Sequence, residues 1–173
     1  MCSHYAMPSL KEIKTYLTTD LKLPLIVPKN IEEKFSAVTQ IYPKSSSLVM
    51  LYSNNELKLV EKKWGYPSPF QKNRVLYNAR IERFYEEKPS MWDNSFARQR
   101  CIILANEFWE SSKQTYLASN NQTYHEHSSF TAKEEPMTLI AGIYQGDDFS
   151  MVTTAANSTV LPVHERMPLV LDR

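Results

Sequence analysis

The stretch that decides the fold is Ser47-Leu48-Val49-Met50-Leu51-Tyr52-Ser53-Asn54-Asn55-Glu56-Leu57-Lys58-Leu59-Val60-Glu61-Lys62. Ser47 to Tyr52 and Glu56 to Lys62 are strand-like runs. The turn formers Ser53-Asn54-Asn55 between them predict a hairpin that ends at Trp64-Gly65. Working outward, Cys101 to Trp109, Thr115 to Ala118, Thr138 to Tyr144 and Phe149 to Thr154 add further strand candidates. The last two are joined by Gln145-Gly146-Asp147-Asp148, another hairpin-like connection. Towards the N-terminus, Ser9-Leu10-Lys11-Glu12 matches a capping box, and Leu10, Ile13 and Leu17 recur at helical spacing, so residues 9–20 read as an amphipathic helix. Residues 119–136 are polar and aperiodic and read as a long surface loop. With only 3 glycines, turns rely on Asn, Asp, Ser and Pro. No repeat and no βαβ alternation occurs. The reading is an α+β fold, strand-dominated, with a mainly antiparallel, twisted or barrel-like sheet and flanking helices, in a single domain over 1–173.

With 173 residues, 42% of them hydrophobic, the chain is long enough to bury a real core. A net charge of +1 argues against a polybasic nucleic-acid coat and leaves room for a local basic groove. Of the 2 cysteines, Cys101 lies in the apolar run Cys101-Ile102-Ile103-Leu104-Ala105, which predicts a buried, reduced and inert thiol in a cytoplasmic protein. No apolar window approaches the roughly 18 residues of a membrane span, so no membrane partner is expected. His125-Glu126-His127 sits in a polar stretch without cysteine partners and makes a poor ligand set, so neither a metal nor another cofactor is expected. The chain reads as a monomer.

Cys2 is the other cysteine. Directly behind Met1, it becomes a free amino-thiol once Met1 is removed. An α-amine titrates at about 7.7–8.0, so roughly a tenth is the neutral, attacking form at neutral pH. An aldehyde is the natural target: amine attack gives an imine, and closure by the neighbouring thiolate gives a five-membered thiazolidine.

Four stretches concentrate chemistry-bearing residues: Met1-Cys2-Ser3-His4-Tyr5, Tyr77-Asn78-Ala79-Arg80-Ile81-Glu82, Arg100 to Glu110 ending in Asn106-Glu107-Phe108-Trp109-Glu110, and Val163-His164-Glu165-Arg166-Met167-Pro168-Leu169-Val170-Leu171. In this order, with Thr153-Thr154-Ala155-Ala156-Asn157 before the last, they resemble the SOS response-associated peptidase family, the abasic-site processing proteins. The resemblance covers residues 2 to 171.

The resemblance implies a covalent trap for abasic sites in single-stranded DNA, with Cys2, Asn78, Glu110 and His164 as catalytic residues. By similarity, Glu110 assists ring opening and proton transfer as the imine forms, and His164 handles protons at the 3′ side of the sugar and on reversal. Glu110 alternates with Phe108 on one face of its predicted strand, whereas Glu107 and Trp109 point the other way. Asn78 matches an asparagine that holds the adduct, and an amide both donates and accepts without titrating. Arg80 and Arg166 match arginines whose planar forks suit the phosphates flanking the lesion. Glu82 is expected to orient Arg80 or the motif backbone. Trp64 and Phe70 lie where the family places residues that wedge and stack against bases, although Trp64 suits the core equally well. Lys62, Lys63 and Arg74 add nearby cations that either contact phosphates or form a solvated face.

Some positions depart from the family. Ser3 stands for its glycine. His4 stands for its arginine, so a conditional charge replaces a permanent clamp at an expected DNA-binding position. Ser111 follows Glu110 where a tryptophan is usual. The chain ends at Leu171-Asp172-Arg173, so the family's C-terminal segment is expected to be absent. While Met1 is attached, the nitrogen of Cys2 is an amide and no imine can form. Two other readings stay open: an N-terminal-nucleophile cysteine peptidase or amidohydrolase, and an inactive member that binds single-stranded DNA non-covalently.

Overall fold

The computed structural model describes residues 1–172 and is strand-dominated α+β. Its elements are β1 His4–Met7, α1 Leu10–Thr15, β2 Leu25–Ile26, β3 Thr39–Ile41, β4 Ser46–Ser53, β5 Glu56–Trp64, β6 Tyr66–Pro67, β7 Val75–Leu76, β8 Asn78–Arg80, α2 Asp93–Arg98, β9 Arg100–Ala105, β10 Glu107–Leu117, β11 Thr123–Phe130, β12 Thr138–Gln145, β13 Asp148–Ala155 and β14 Arg166–Pro168.

The β4–β5 hairpin runs in unbroken antiparallel register from Ser46↔Lys63 to Ser53↔Glu56. Its two-residue turn has Asn54 and Asn55 both at positive φ, 51° and 62°, the backbone that a primed hairpin turn demands and that asparagine tolerates. From this hairpin the sheet continues through β9, β12 and β13. Strand β13 then returns to pair in parallel with the end of β5, at Phe149↔Trp64, so the main sheet closes into a barrel. A second sheet, in the order β11-β10-β1-β3, lies against it. Trp64, Tyr5, Phe149, Leu48, Leu59 and Ile103 are among the side chains buried in the principal core. Burial of each such side chain contributes about 1.5–3 kcal/mol.

The structure corrects several sequence expectations. The helix expected over 9–20 is α-helical only to Thr15, and the chain widens into a π-type turn over Tyr16–Asp20. There the Thr18 hydroxyl donates back to the Lys14 carbonyl at 2.6 Å, competing with the backbone ladder. The run from Cys101 to Trp109 is two strands, because the chain passes at Asn106 from the barrel to the second sheet, with the Asn106 N–H donating to the Ala6 carbonyl at 2.8 Å. Thr115 to Ala118 is no separate strand: Thr115–Leu117 continues β10 beyond a bulge between Ser111 and Thr115. Residues 119–136 are not a loop throughout, since β11 occupies Thr123–Phe130. That strand is solvated along most of its length, so backbone pairing with β10 holds it and no apolar alternation marks it.

Gly65 is the hinge at the end of the hairpin. Its φ is +123°, and a Cβ there would lie 2.7 Å from the Cβ of Val75. Only glycine permits this close crossing, which brings β6 and β7 together and leads directly to β8.

Candidate functional site

The N-terminus enters the structure at the seam between the two sheets. β1 is paired on one side with β10, at His4↔Trp109, and on the other with β3, at Tyr5↔Ile41. This pairing fixes Cys2, whose side chain is fully buried, at the end of a strand flanked on both sides. The Cys2 thiol donates to the His4 carbonyl at 3.4 Å. Burial first, and then the negative charge of Glu110, push the thiol up to about 12, so it stays protonated at neutral pH.

Three elements distant in sequence converge on the Met1–Cys2 unit. Asn78 opens β8, which β13 holds in parallel through Met151↔Asn78. Its Nδ2 donates to the Cys2 carbonyl at 2.8 Å, and its Oδ1 is buried without a hydrogen-bond partner. Glu110 projects from β10 with its side chain fully buried, and its Oε2 lies 3.2 Å from the Met1 ammonium. Desolvation pushes its carboxyl up to about 7, opposed by the Met1 ammonium and the Cys2 backbone N–H. His164 lies in the turn that precedes β14. The Arg166 backbone N–H donates to its Nδ1 at 2.9 Å, and its Nε2 sits 2.7 Å from the Met1 nitrogen. Burial and the Met1 ammonium hold its pKa below the ordinary 6.5. The Met1 amine, Glu110 and His164 thus meet at one point.

The remaining expected site residues are distributed differently. Trp64 is fully buried, stacked on Phe149, with its indole N–H donating to the Tyr77 carbonyl at 2.8 Å. It therefore presents no face to a base, and instead anchors the backbone next to Asn78. Phe70 is 89% exposed and keeps its ring free. The fork of Arg166 is occupied: it makes a bidentate pair with Glu82 at 2.6 and 2.9 Å and donates to the Thr153 carbonyl at 2.8 Å. That side chain is 9% exposed, and its remaining Nε is buried, so it offers no accessible edge to a phosphate. Glu82 accordingly pairs with Arg166, while Arg80 acts on it through charge alone, and Arg166 in turn carries the backbone N–H that orients His164. Arg80 is exposed. His4 is sandwiched between the rings of Tyr42 and Trp109, with its Nε2 against the Gln40 side-chain oxygen. Lys62 is held by the Gly146 carbonyl and lies over the Tyr144 ring.

A trough of about 640 Å³ opens beside Met1 and Asn78 and is lined by Lys44, Lys72 and Arg74, with no acidic side chain on its walls. Sequence reasoning missed Lys44 and Lys72, because no motif contains them and only the crossing at Gly65 brings their loops together. Cys101 is buried, its thiol pushed up to about 12 by desolvation. Among the described residues no group of His, Cys, Asp and Glu gathers as a metal site, and no helix is long and apolar enough to cross a membrane.

Among solved structures, a protein from Bacteroides thetaiotaomicron is similar with a TM-score of 0.70 at 19% identity, over 99% of this chain and 78% of that one. A phage-related protein from Bordetella bronchiseptica is similar with a TM-score of 0.69 at 20% identity, over 98% of this chain and 77% of that one. At such identities the likeness speaks for the fold alone. Comparison with curated proteins finds no significant match. The sequence profile described as SOS response associated peptidase (SRAP) matches residues 1–173. With that match over its whole length, the chain belongs to the SOS response-associated peptidase family.

Proposed function

We propose that the protein, once Met1 is removed, captures the ring-opened aldehyde of an abasic site in single-stranded DNA as a thiazolidine on Cys2. The observation that carries this reading is the convergence of Glu110 and His164 on the Met1 amine and of Asn78 on the Cys2 carbonyl. Family membership adds the association with the SOS response to DNA damage.

The chemistry balances without oxidant, reductant or cofactor. The freed Cys2 amine attacks C1′ of the aldehyde to give a carbinolamine, which loses water to form the imine. The Cys2 sulfur then bonds to the same carbon, the imine electron pair returns to nitrogen, and the thiol proton ends on that nitrogen. The sum is aldehyde plus amino-thiol giving thiazolidine plus one water. A carboxyl near pKa 7 is matched to supplying a proton at ring opening and dehydration and taking one back. His164, its pKa held below 6.5, accepts or returns a proton beside the former Met1 nitrogen. Asn78 fixes the Cys2 backbone so that amine and sulfur reach one carbon. The cationic trough supplies phosphate contacts next to the site, and exposed Arg80 adds another.

Matured protein and single-stranded DNA with one abasic site, resolved on a denaturing gel, test the reading. A shifted band is expected with wild type and none with Cys2→Ala. No band with wild type would remove the covalent reading. Peptide hydrolysis without an adduct would favour the cysteine-peptidase reading, and a native-gel shift lost on denaturation would favour simple DNA binding.

A further inference from the structure

We infer that the row Tyr42–His4–Trp109 is a stacking platform whose open end receives one unpaired nucleobase of the captured strand. The inference rests on the DNA reading above and adds a base-binding position to it.

The row follows from strand register. His4 of β1 faces Trp109 of β10. Because Ile41 faces Tyr5, the next residue of the chain, Tyr42, falls opposite His4. The three rings lie nearly parallel across the sheet, with centroids 4.3 Å apart at 10° for Tyr42–His4 and 4.2 Å apart at 11° for His4–Trp109. This is face-to-face layering, the arrangement in which bases stack on aromatic side chains. At one end the row is bounded by the neighbouring strand, where Trp109 faces Ser129 of β11. At the other end the sheet runs out, since β3 is its edge strand. No further strand supplies a ring beyond Tyr42, which is 52% exposed.

That open end adjoins the cationic trough. Pro43 and Lys44, the residues that follow Tyr42, line it together with Lys72 and Arg74, and Met1 lies at its head. Among the described residues these cations have no ion-pair partner. A strand with its phosphates in the trough and its lesion at Cys2 brings a neighbouring base alongside Tyr42. The row is also tied to the nucleophile, because the His4 carbonyl accepts from the Cys2 thiol. Every base has a π-face, so such a platform reads an unpaired strand without reading its sequence.

The test uses matured protein and single-stranded oligonucleotides that carry 2-aminopurine at successive positions on either side of the lesion. One set contains a natural abasic site and the other a tetrahydrofuran analogue that cannot open to an aldehyde. The analogue reports stacking independently of covalent capture. The expected result with both sets is quenching at one position only, abolished by Tyr42→Ala and restored by Tyr42→Phe. Tyr42→Ala should weaken binding of the analogue about tenfold. Quenching that survives Tyr42→Ala, or that occurs at no position, would overturn the platform even if crosslinking proceeds. Site-specific quenching of the analogue without any crosslink would uphold the platform and remove the covalent reading instead.

Discussion

Glu110→Gln should make the protein more stable and less active, and the gain in stability should depend on pH. Glu110 is an unusual carboxyl: its side chain is fully buried, and the groups that stabilise its charge are the Met1 ammonium, 3.2 Å from Oε2, and the Cys2 backbone N–H. Desolvation raises its pKa from 4.5 to about 7 in the folded state, whereas the unfolded chain returns it to the ordinary value. The folded state thus holds this proton more tightly than the unfolded state. The favourable contribution is complete below pH 4.5 and is lost as pH rises towards 7, because the carboxyl must then ionise inside the fold. The displacement from 4.5 to about 7 corresponds to about 3 kcal/mol at pH 7 and above. Glutamine keeps the shape and never ionises, so it escapes this penalty.

For a chain of this size, 1 kcal/mol shifts Tm by about 2–4 °C. Protein retaining Met1, melted by calorimetry at pH 5 and pH 8, should show Glu110→Gln gaining roughly 5–10 °C more over wild type at the higher pH. Any fixed cost of placing an amide there moves both pH values together and cancels in that comparison. The matured variant should lose crosslinking by at least about 100-fold, the usual scale for a proton-transfer group. A stability difference that is the same at both pH values would refute the reasoning, since it would mean that Glu110 titrates as an ordinary exposed carboxyl.

Arg80→Ala and Arg166→Ala should separate DNA contact from architecture. Removing exposed Arg80 is expected to leave stability within about 0.5 kcal/mol and to lower the salt slope of DNA binding by about 1. Removing Arg166, which pairs with Glu82 and the Thr153 carbonyl, should cost about 2–3 kcal/mol in urea denaturation; equal effects on the salt slope would contradict its occupied fork. Gly65→Ala should destabilise by about 1–3 kcal/mol, because its φ of +123° and the 2.7 Å approach to Val75 leave no room for a Cβ; an unchanged denaturation midpoint would count against that crossing. Protein bearing a cleavable N-terminal extension should form no crosslink until a protease exposes Cys2, as followed by intact mass and denaturing gel, and a band before cleavage would mean that the Cys2 amine is not the nucleophile.

The hairpin over 47–62 was legible because two local signals agree: apolar strand-like runs and an Asn-Asn turn. The orientation of Glu110 was equally legible, since strand alternation sets it with buried Phe108. What sequence hid depends on pairings between distant positions. The Glu82–Arg166 pair spans 84 residues, and both members lie in short motifs whose nearer neighbours offer competing partners. Arg80 is two positions from Glu82, and a local reading pairs those two. Trp64 carries no local mark that distinguishes a wedge from core; only closure of the barrel at Phe149↔Trp64 encloses its ring. The break at Asn106 is silent because strand follows strand, and the change is one of sheet, not of secondary structure. Strand β11 is silent for the opposite reason, since a solvated edge needs no apolar side chains to pair its backbone.

In the proposed function, the same long-range pairings make the N-terminus a latent reagent. β1 is held between β10 and β3, so Cys2 sits at the seam, and Asn78, Glu110 and His164 reach it from strands and turns of the two sheets. With Met1 present, the Cys2 nitrogen is an amide and its thiol is held near 12, so neither nucleophile is available. The Met1 amine meanwhile occupies the position between Glu110 and His164. Hydrolysis of one peptide bond therefore has two consequences at once. It converts the amide nitrogen into an amine, and it vacates the space beside Glu110 and His164 that the aldehyde enters in the proposed reaction. Because Glu110, His164 and Asn78 are carried by the folded chain and not by Met1, the proposed activation needs no refolding, and the geometry that the proposed attack uses is in place before Met1 leaves.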